Sequence, residues 1–196
     1  MSLLTCLRAA FLGGLLVVAN GVSVAATPFV DSLPRTPGPA GSPLPPARPS
    51  AGDTLPTANR VLVRKSERRM YLMRGDEVLR SYRVALGLNP VGHKEREGDF
   101  RTPEGRYQLV KRNPRSDFFM SMKVSYPNPD DVARARRNGW APGGSIMIHG
   151  LPNDPRKGLD YYATRDWTDG CIAVSNADML EIWMLVSDGT TIDIQP

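Results

Sequence analysis

A mainly β fold with a few short helices is predicted for the C-terminal two-thirds of this chain by three observations. Short runs rich in Val, Ile, Tyr and Met alternate in polarity, turns rich in Gly, Pro, Asn and Asp separate them, and only two stretches carry helical spacing. The first strands are Val61-Leu62-Val63, Arg69 to Met73 and Val78 to Ala85, the last two joined by a turn at Arg74-Gly75-Asp76-Glu77, which reads as a meander. Further strands are expected at Arg106 to Lys111, Met120 to Val124, Ser145 to His149 and Thr190 to Ile194. A short basic helix is expected over Asp130 to Asn138. A second opens at Ser175-Asn176-Ala177-Asp178, which has the spacing of a capping box, with Met179, Ile182, Trp183 and Val186 on one face.

The remaining N-terminal part has a different composition. The chain has 196 residues, 41% of them apolar, 7% aromatic and 23% charged, which excludes collagen, coiled coil and full disorder. Half of its 18 prolines, nine in all, fall between Thr27 and Ala58 among Ala, Gly, Ser and Thr, so residues 27–58 are expected to be an extended, disordered linker, unable to bury a core. Residues 1–26 have an arginine followed by an apolar stretch from Ala9 to Val18 and small residues at Val24-Ala25-Ala26, the pattern of a cleaved export signal. An apolar run of about ten residues is short for the ~20 that a bilayer requires. The expected organisation is a signal at 1–26, a linker at 27–58 and one domain at 59–196, with export to the periplasm or cell envelope and membrane contact only through the signal.

Formal charge is +5, with no run of five basic residues, which argues against a nucleic-acid arm. The charge is unevenly spread. Residues 59–137 carry 19 basic and 10 acidic side chains, whereas residues 138–196 carry 3 basic and 8 acidic. Two solvated faces of opposite sign satisfy this pattern, as does a basic approach surface for a carboxylate- or phosphate-rich polymer.

Signal removal would take Cys6 with it and leave Cys171 as the sole cysteine. In an oxidising compartment a lone cysteine forms no internal disulfide, so it is either an inert buried thiol or one kept free for chemistry. Gly170 before it permits a tight turn that exposes the sulfur and converges backbone N–H groups, as an oxyanion hole at Gly170 and Cys171 requires. A thiol attacks as thiolate and needs a base, and the chain has only His93 and His149. His149 ends the strand Ser145-Ile146-Met147-Ile148-His149, on the same face as Met147, and is readable either as a satisfied core histidine or as a base of near-neutral pKa. His93 lies among Lys94, Glu95, Arg96 and Glu97 and reads as a solvated loop side chain. Gly98, Asp99, Thr102 and Gly105 read as turn chemistry, and Tyr107 as a core residue. No cofactor or metal is expected: two histidines 56 positions apart and one thiol give no zinc spacing such as His-Glu-x-x-His.

The segments Gly98-Asp99-Phe100-Arg101-Thr102-Pro103-Glu104-Gly105-Arg106-Tyr107, His149-Gly150 and Thr168-Asp169-Gly170-Cys171 together resemble, in this order along the chain, the motifs of the L,D-transpeptidase catalytic-domain family. The likeness covers nearly all of residues 60–196 and is nearest the branch with the form Asp-Trp-Thr-Asp-Gly-Cys-Ile-Ala-Val, here Asp166 to Val174. Many members have histidine where this chain has Asp169, and arginine or asparagine near the position of Ala173. The resemblance implies a β-sandwich of L,D-transpeptidase type and a monomeric enzyme of peptidoglycan stem peptides. It implies Cys171 as nucleophile, His149 as general base and acid, and a cleft bordered by Gly150, Trp167, Thr168 and Asp169. The implied reaction is two-step acyl transfer at the bond between the third and fourth stem residues. Its alternatives are the same chemistry with water as acceptor and a wall-binding module that needs neither residue.

Overall fold

The computed structural model describes residues 57–196, so the export signal and all but the end of the linker lie outside the described residues. The chain runs β1 (Ala58–Arg64), β2 (Arg69–Arg74), β3 (Glu77–Arg83), β4 (Gly105–Ser116), β5 (Phe119–Val124), α1 (Pro129–Arg137), β6 (Met147–His149), α2 (Leu159–Thr164), β7 (Ile172–Ala173), α3 (Asn176–Leu185) and β8 (Val186–Gln195). β1 therefore begins at Ala58, the last residue expected in the linker. The strand order is β3-β2-β1-β8-β4-β5-β6-β7.

The expected meander is present as β1-β2-β3, antiparallel throughout. β8 then pairs parallel to β1 on its other edge, with Val61 opposite Ile192 and Val63 opposite Ile194. β4 joins the two halves of the fold. Its start pairs with β8, Tyr107 opposite Ile192, and its end with β5, Arg112 opposite Met122. The two layers of the sandwich are thus one curled sheet rather than two separate ones, and β4 is much longer than the strand expected at Arg106 to Lys111. Val61, Leu72, Leu109, Met122, Ile148, Ile172, Met179, Ile182 and Ile192 are fully buried between the layers.

Both expected helices form. α1 starts on a reciprocal capping box in which the Asn128 side chain accepts from the Asp131 N–H and the Asp131 carboxylate accepts from the Asn128 N–H. At α3 only half of the box exists: Ser175 Oγ accepts from the Asp178 N–H. Met179 and Ile182 face the core as expected, but Val186 does not extend the helix. It opens β8 directly, because extended backbone at Val186 turns the chain from helix to strand without a loop.

The segment between β3 and β4 departs most from its expected solvated character. Lys65 is buried and gives its three N–H bonds to Gly92 O (2.6 Å), Thr102 O (2.9 Å) and Glu104 Oε1 (2.8 Å). Lys94 is also buried, on Asp99 Oδ1 at 2.7 Å. Asp99 additionally accepts from the N–H groups of Glu95, Arg96 and Arg101, so its turn role is as expected. His93 is not a solvated side chain. Its Nδ1 accepts from the Glu104 N–H at 3.0 Å and its Nε2 faces Asp131 Oδ1 at 3.1 Å, because the loop folds back over β4 and α1. Buried charges of this kind persist only when paired and hydrogen-bonded. Tyr107 is buried as expected, its hydroxyl on Asp131 Oδ2 at 2.9 Å.

Candidate active site

Two of the shortest strands position the chemistry. β6 pairs parallel with β7, Ile148 opposite Ile172 and His149 opposite Ala173. Ile148 and Ile172 are both fully buried, so their neighbours along each strand, His149 on β6 and Cys171 just before β7, point to the other face. There both line a cleft of about 380 Å³ together with Ser116, Phe118, Met147 and Trp167. Alternation in the sequence puts His149 on the same face as Met147, and that face carries the cleft.

His149 is 3% exposed. Its Nδ1 lies 2.7 Å from the Gly150 carbonyl, which can only accept, so Nδ1 carries the proton and Nε2 keeps its lone pair. Phe118 packs against the imidazole at 4.6 Å between ring centroids and Trp167 at 5.6 Å, and Tyr162 closes the stack behind Trp167 at 5.1 Å. Burial in this aromatic surround pushes the imidazole pKa below its ordinary value, against a smaller opposing effect of the Gly150 carbonyl. The histidine is a neutral acceptor at rest.

Cys171 is half-buried, and its Sγ–H donates to Ser145 O at 3.6 Å. Ser145 holds a left-handed backbone, φ +56°, of the kind that turns a carbonyl out of a strand's regular ladder. Burial raises the thiol pKa above its usual value; the Met147 N–H and Lys94 pull it down and Asp169 pushes it further up. Both shifts favour the neutral thiol and neutral imidazole over thiolate and imidazolium, and the thiol hydrogen-bonds to the Ser145 carbonyl.

The turn before the cysteine is fixed from both sides. Thr168 is buried, its Oγ1 donating to Cys171 O at 2.8 Å and accepting from the Gly170 N–H at 3.2 Å. The Gly170 N–H expected in an oxyanion hole is therefore engaged by Thr168 Oγ1. Gly170 has φ +128°, and a Cβ there would come 2.6 Å from Arg101 O, so no other residue fits. Asp166 fastens the start of the turn to the opposite sheet edge through Arg68 at 2.9 Å and the Leu86 N–H at 2.9 Å.

Of the residues expected to border the cleft, Trp167, Thr168 and Asp169 do, Asp169 as an exposed side chain. Gly150 does not line it. It is buried under Phe118 and Phe119, where a Cβ would meet Asn176 Oδ1 at 2.6 Å, and it contributes the carbonyl that sets the His149 tautomer. Phe118, Ser116 and Tyr162 were not foreseen; Phe118 sits at the tip of the β4–β5 hairpin, and no local sequence pattern ties it to His149. Among the described residues no group of His, Cys, Asp and Glu has the arrangement of a metal site.

Comparison with known proteins decides the family. The YkuD-type L,D-transpeptidase catalytic domain matches residues 58–194. The chain belongs to the L,D-transpeptidase catalytic-domain family. Among curated proteins it is similar to YafK of Escherichia coli (strain K12), at 31% identity over 123 residues, covering 60% of this chain and 42% of that protein. Among solved structures it resembles the helical cell shape determining protein Pgp2 of Campylobacter jejuni, at 27% identity and TM-score 0.51 over 69% of this chain and 46% of Pgp2. A K307A mutant of Pgp2 aligns with TM-score 0.52 at 26% identity, over 72% of this chain and 48% of that one. The chain spans less than half the length of these relatives. The mainly β sandwich expected from the motifs is the family's fold, and the domain is of the type that acts on peptidoglycan.

Proposed function

We infer that this chain is an exported, periplasmic cysteine transpeptidase that acts on peptidoglycan stem peptides through a thioester. The observation that carries the reading is the placement of Cys171 and His149 on one face of the β6–β7 pair, in one cleft, with the free lone pair on His149 Nε2.

The chemistry follows from the resting protonation. Substrate entering the cleft displaces the thiol from Ser145 O, and His149 Nε2 takes the proton as Sγ attacks the carbonyl carbon of the third stem residue. Charge on the acyl oxygen is held by a backbone N–H at Cys171, a contact type whose loss costs about 3 kcal/mol in other acyl-transfer enzymes. As the C–N bond breaks, His149 returns the proton to the departing amine, and the terminal D-alanine leaves. A second amine attacks the thioester, gives its proton to His149 and regenerates the thiol. Trp167 and Phe118 form the apolar wall on which the stem lies. No step calls for a cofactor.

Water as acceptor, giving a wall hydrolase, is the second reading. It is favoured by Asp169, an exposed carboxylate at the rim where many relatives have histidine. Incubating the protein with stem tetrapeptide and reading products by mass spectrometry separates the two. Cross-linked dimer or exchange with a D-amino acid supports transfer, tripeptide alone supports hydrolysis, and no change in either refutes both.

A further inference from the structure

The cleft face of the sheet carries a feature that the reaction at Cys171 does not use. Register sets Lys111 opposite Lys123 and Lys123 opposite Met147. Because Ile148 faces Ile172, Met147 in turn falls opposite Cys171. Two residues along each strand, on the same face, Asn113 faces Ser121 and Ser121 faces His149. Opposed residues of neighbouring strands stand on the same side of a sheet. The other side of these strands is the core, where Met122, Ile148 and Ile172 are fully buried. A row of Lys111, Lys123, Met147 and Cys171 therefore crosses the sheet. With strands ~4.8 Å apart, Lys123 stands about 10 Å and Lys111 about 14 Å from the cysteine along that row.

The row lies in a groove. Lys111, Asn113, Ser121, Lys123 and Met147 line a second cavity of about 330 Å³, and Met147 is also a wall of the catalytic cleft, so the two hollows meet there. Like charges set directly opposite each other on adjacent strands destabilise a sheet. Here both lysines are exposed, and neither has an ion-pair partner among the described residues. Lys65 and Lys94, in contrast, are each paired with a carboxylate. An anion lying between Lys111 and Lys123 would turn the repulsion into attraction.

We propose that the groove of Lys111, Lys123, Asn113 and Ser121 is a subsite for carboxylates of the acyl-donor peptide. They are those borne by the third residue itself and by the one or two residues before it, on the side that stays with the enzyme. An extended peptide rises ~3.3 Å per residue, so these groups lie up to ~7 Å from a carbonyl at Cys171 along the chain, within reach of the flexible lysine stems that extend toward it from Lys123 and Lys111. Asn113 and Ser121, the next pair on the same face, supply neutral donors beside the two cations. The subsite rests on the proposed function for the identity of the peptide but not for any step of turnover, so binding tests it separately from catalysis.

The experiment measures the dissociation constant of an acidic stem tetrapeptide, and of the same peptide with its side carboxylates amidated, on the full chain carrying Cys171→Ala. The acidic peptide is expected to bind about fivefold tighter, the contribution of two partly exposed charge contacts. Lys111→Gln with Lys123→Gln should erase that preference, and Lys123→Glu should invert it. Both lysines are exposed, so these variants leave the core untouched. Equal affinity for the two peptides, a preference that survives both sets of substitutions, or no measurable binding of either peptide would overturn the proposal. Inorganic polyphosphate competing as strongly as the acidic stem would also overturn it, by reducing the groove to general anion attraction. Turnover of the tetrapeptide by the unsubstituted protein is read in parallel and decides the proposed function alone.

Discussion

The hydroxyl of Thr168 donates to the carbonyl of Cys171 at 2.8 Å while accepting from the N–H of Gly170 between them, so one buried side chain closes the turn that presents the nucleophile. Thr168 N–H and O are in turn bonded to Leu86 O and the Leu88 N–H, which ties the turn to the segment after β3. The sulfur's position thus depends on a side chain that needs no contact with substrate.

Thr168→Val keeps the shape and removes both hydroxyl bonds. It should destabilise the fold by about 1–3 kcal/mol, the cost of leaving the Gly170 N–H and the Cys171 carbonyl without a partner. Acylation of Cys171 should slow by roughly tenfold or more as the turn loosens. Thermal unfolding and the rate of thioester formation check the two parts. Thr168→Ser, which restores the hydroxyl, should recover most of both.

The resting protonation states make a pH prediction. The imidazole pKa lies below its ordinary range, so His149 remains the unprotonated base at pH values where a free histidine would be charged, and the acid limb of kcat/KM should fall below that of free imidazole. The thiol pKa lies above its ordinary range, so the thiolate fraction without substrate is small at neutral pH and grows only under alkaline conditions. Iodoacetamide alkylation of Cys171, followed by mass, should therefore be slow at neutral pH and climb in the alkaline range. A plateau of fast alkylation already reached at neutral pH would indicate a preformed ion pair instead.

Asp169 acts on the same thiol through space. Its negative charge is one of the influences that raise the Cys171 pKa, so Asp169→Asn should lower it and accelerate alkylation at fixed mildly alkaline pH by roughly two- to threefold at low salt. Added salt should shrink the difference, since an exposed carboxylate is screened. Alkylation rates in low and high salt measure both effects.

Lys65 predicts a stability effect far from the cleft. Lys65→Met removes three bonds from one buried ammonium and leaves the Glu104 carboxylate and the carbonyls of Gly92 and Thr102 without that donor. A loss of about 3 kcal/mol in unfolding free energy is expected. Denaturant titration checks it.

The parts of the site that were legible in the sequence are those fixed by local chemistry. Gly170 before Cys171 signalled a turn, and alternation through Met147, Ile148 and His149 assigned the histidine its face. The N-cap at Ser175, the meander of β1 to β3 and the core positions of α3 were legible for the same reason. What stayed hidden depends on pieces of chain that meet only after folding. β7 is two residues long and gives no periodicity, yet it sets Cys171 beside β6. Phe118 reaches His149 from a hairpin tip where Phe119 has φ +62°, a conformation that a bulky side chain rarely adopts. His93 reads as a solvated loop side chain in sequence and is half-buried because Glu104 and Asp131 meet it after folding, while Lys65 is buried against Glu104 and the carbonyls of Gly92 and Thr102 from a distant loop.

The intact mass of the protein after brief exposure to a stem tetrapeptide is the most direct measure of the account. A covalent tripeptidyl adduct should appear on the unsubstituted chain, be absent from Cys171→Ala and form at least a hundredfold more slowly in His149→Ala, as loss of a general base implies in the ~10²–10⁴ range. An adduct that survives Cys171→Ala, or forms at full rate without the imidazole, would contradict it.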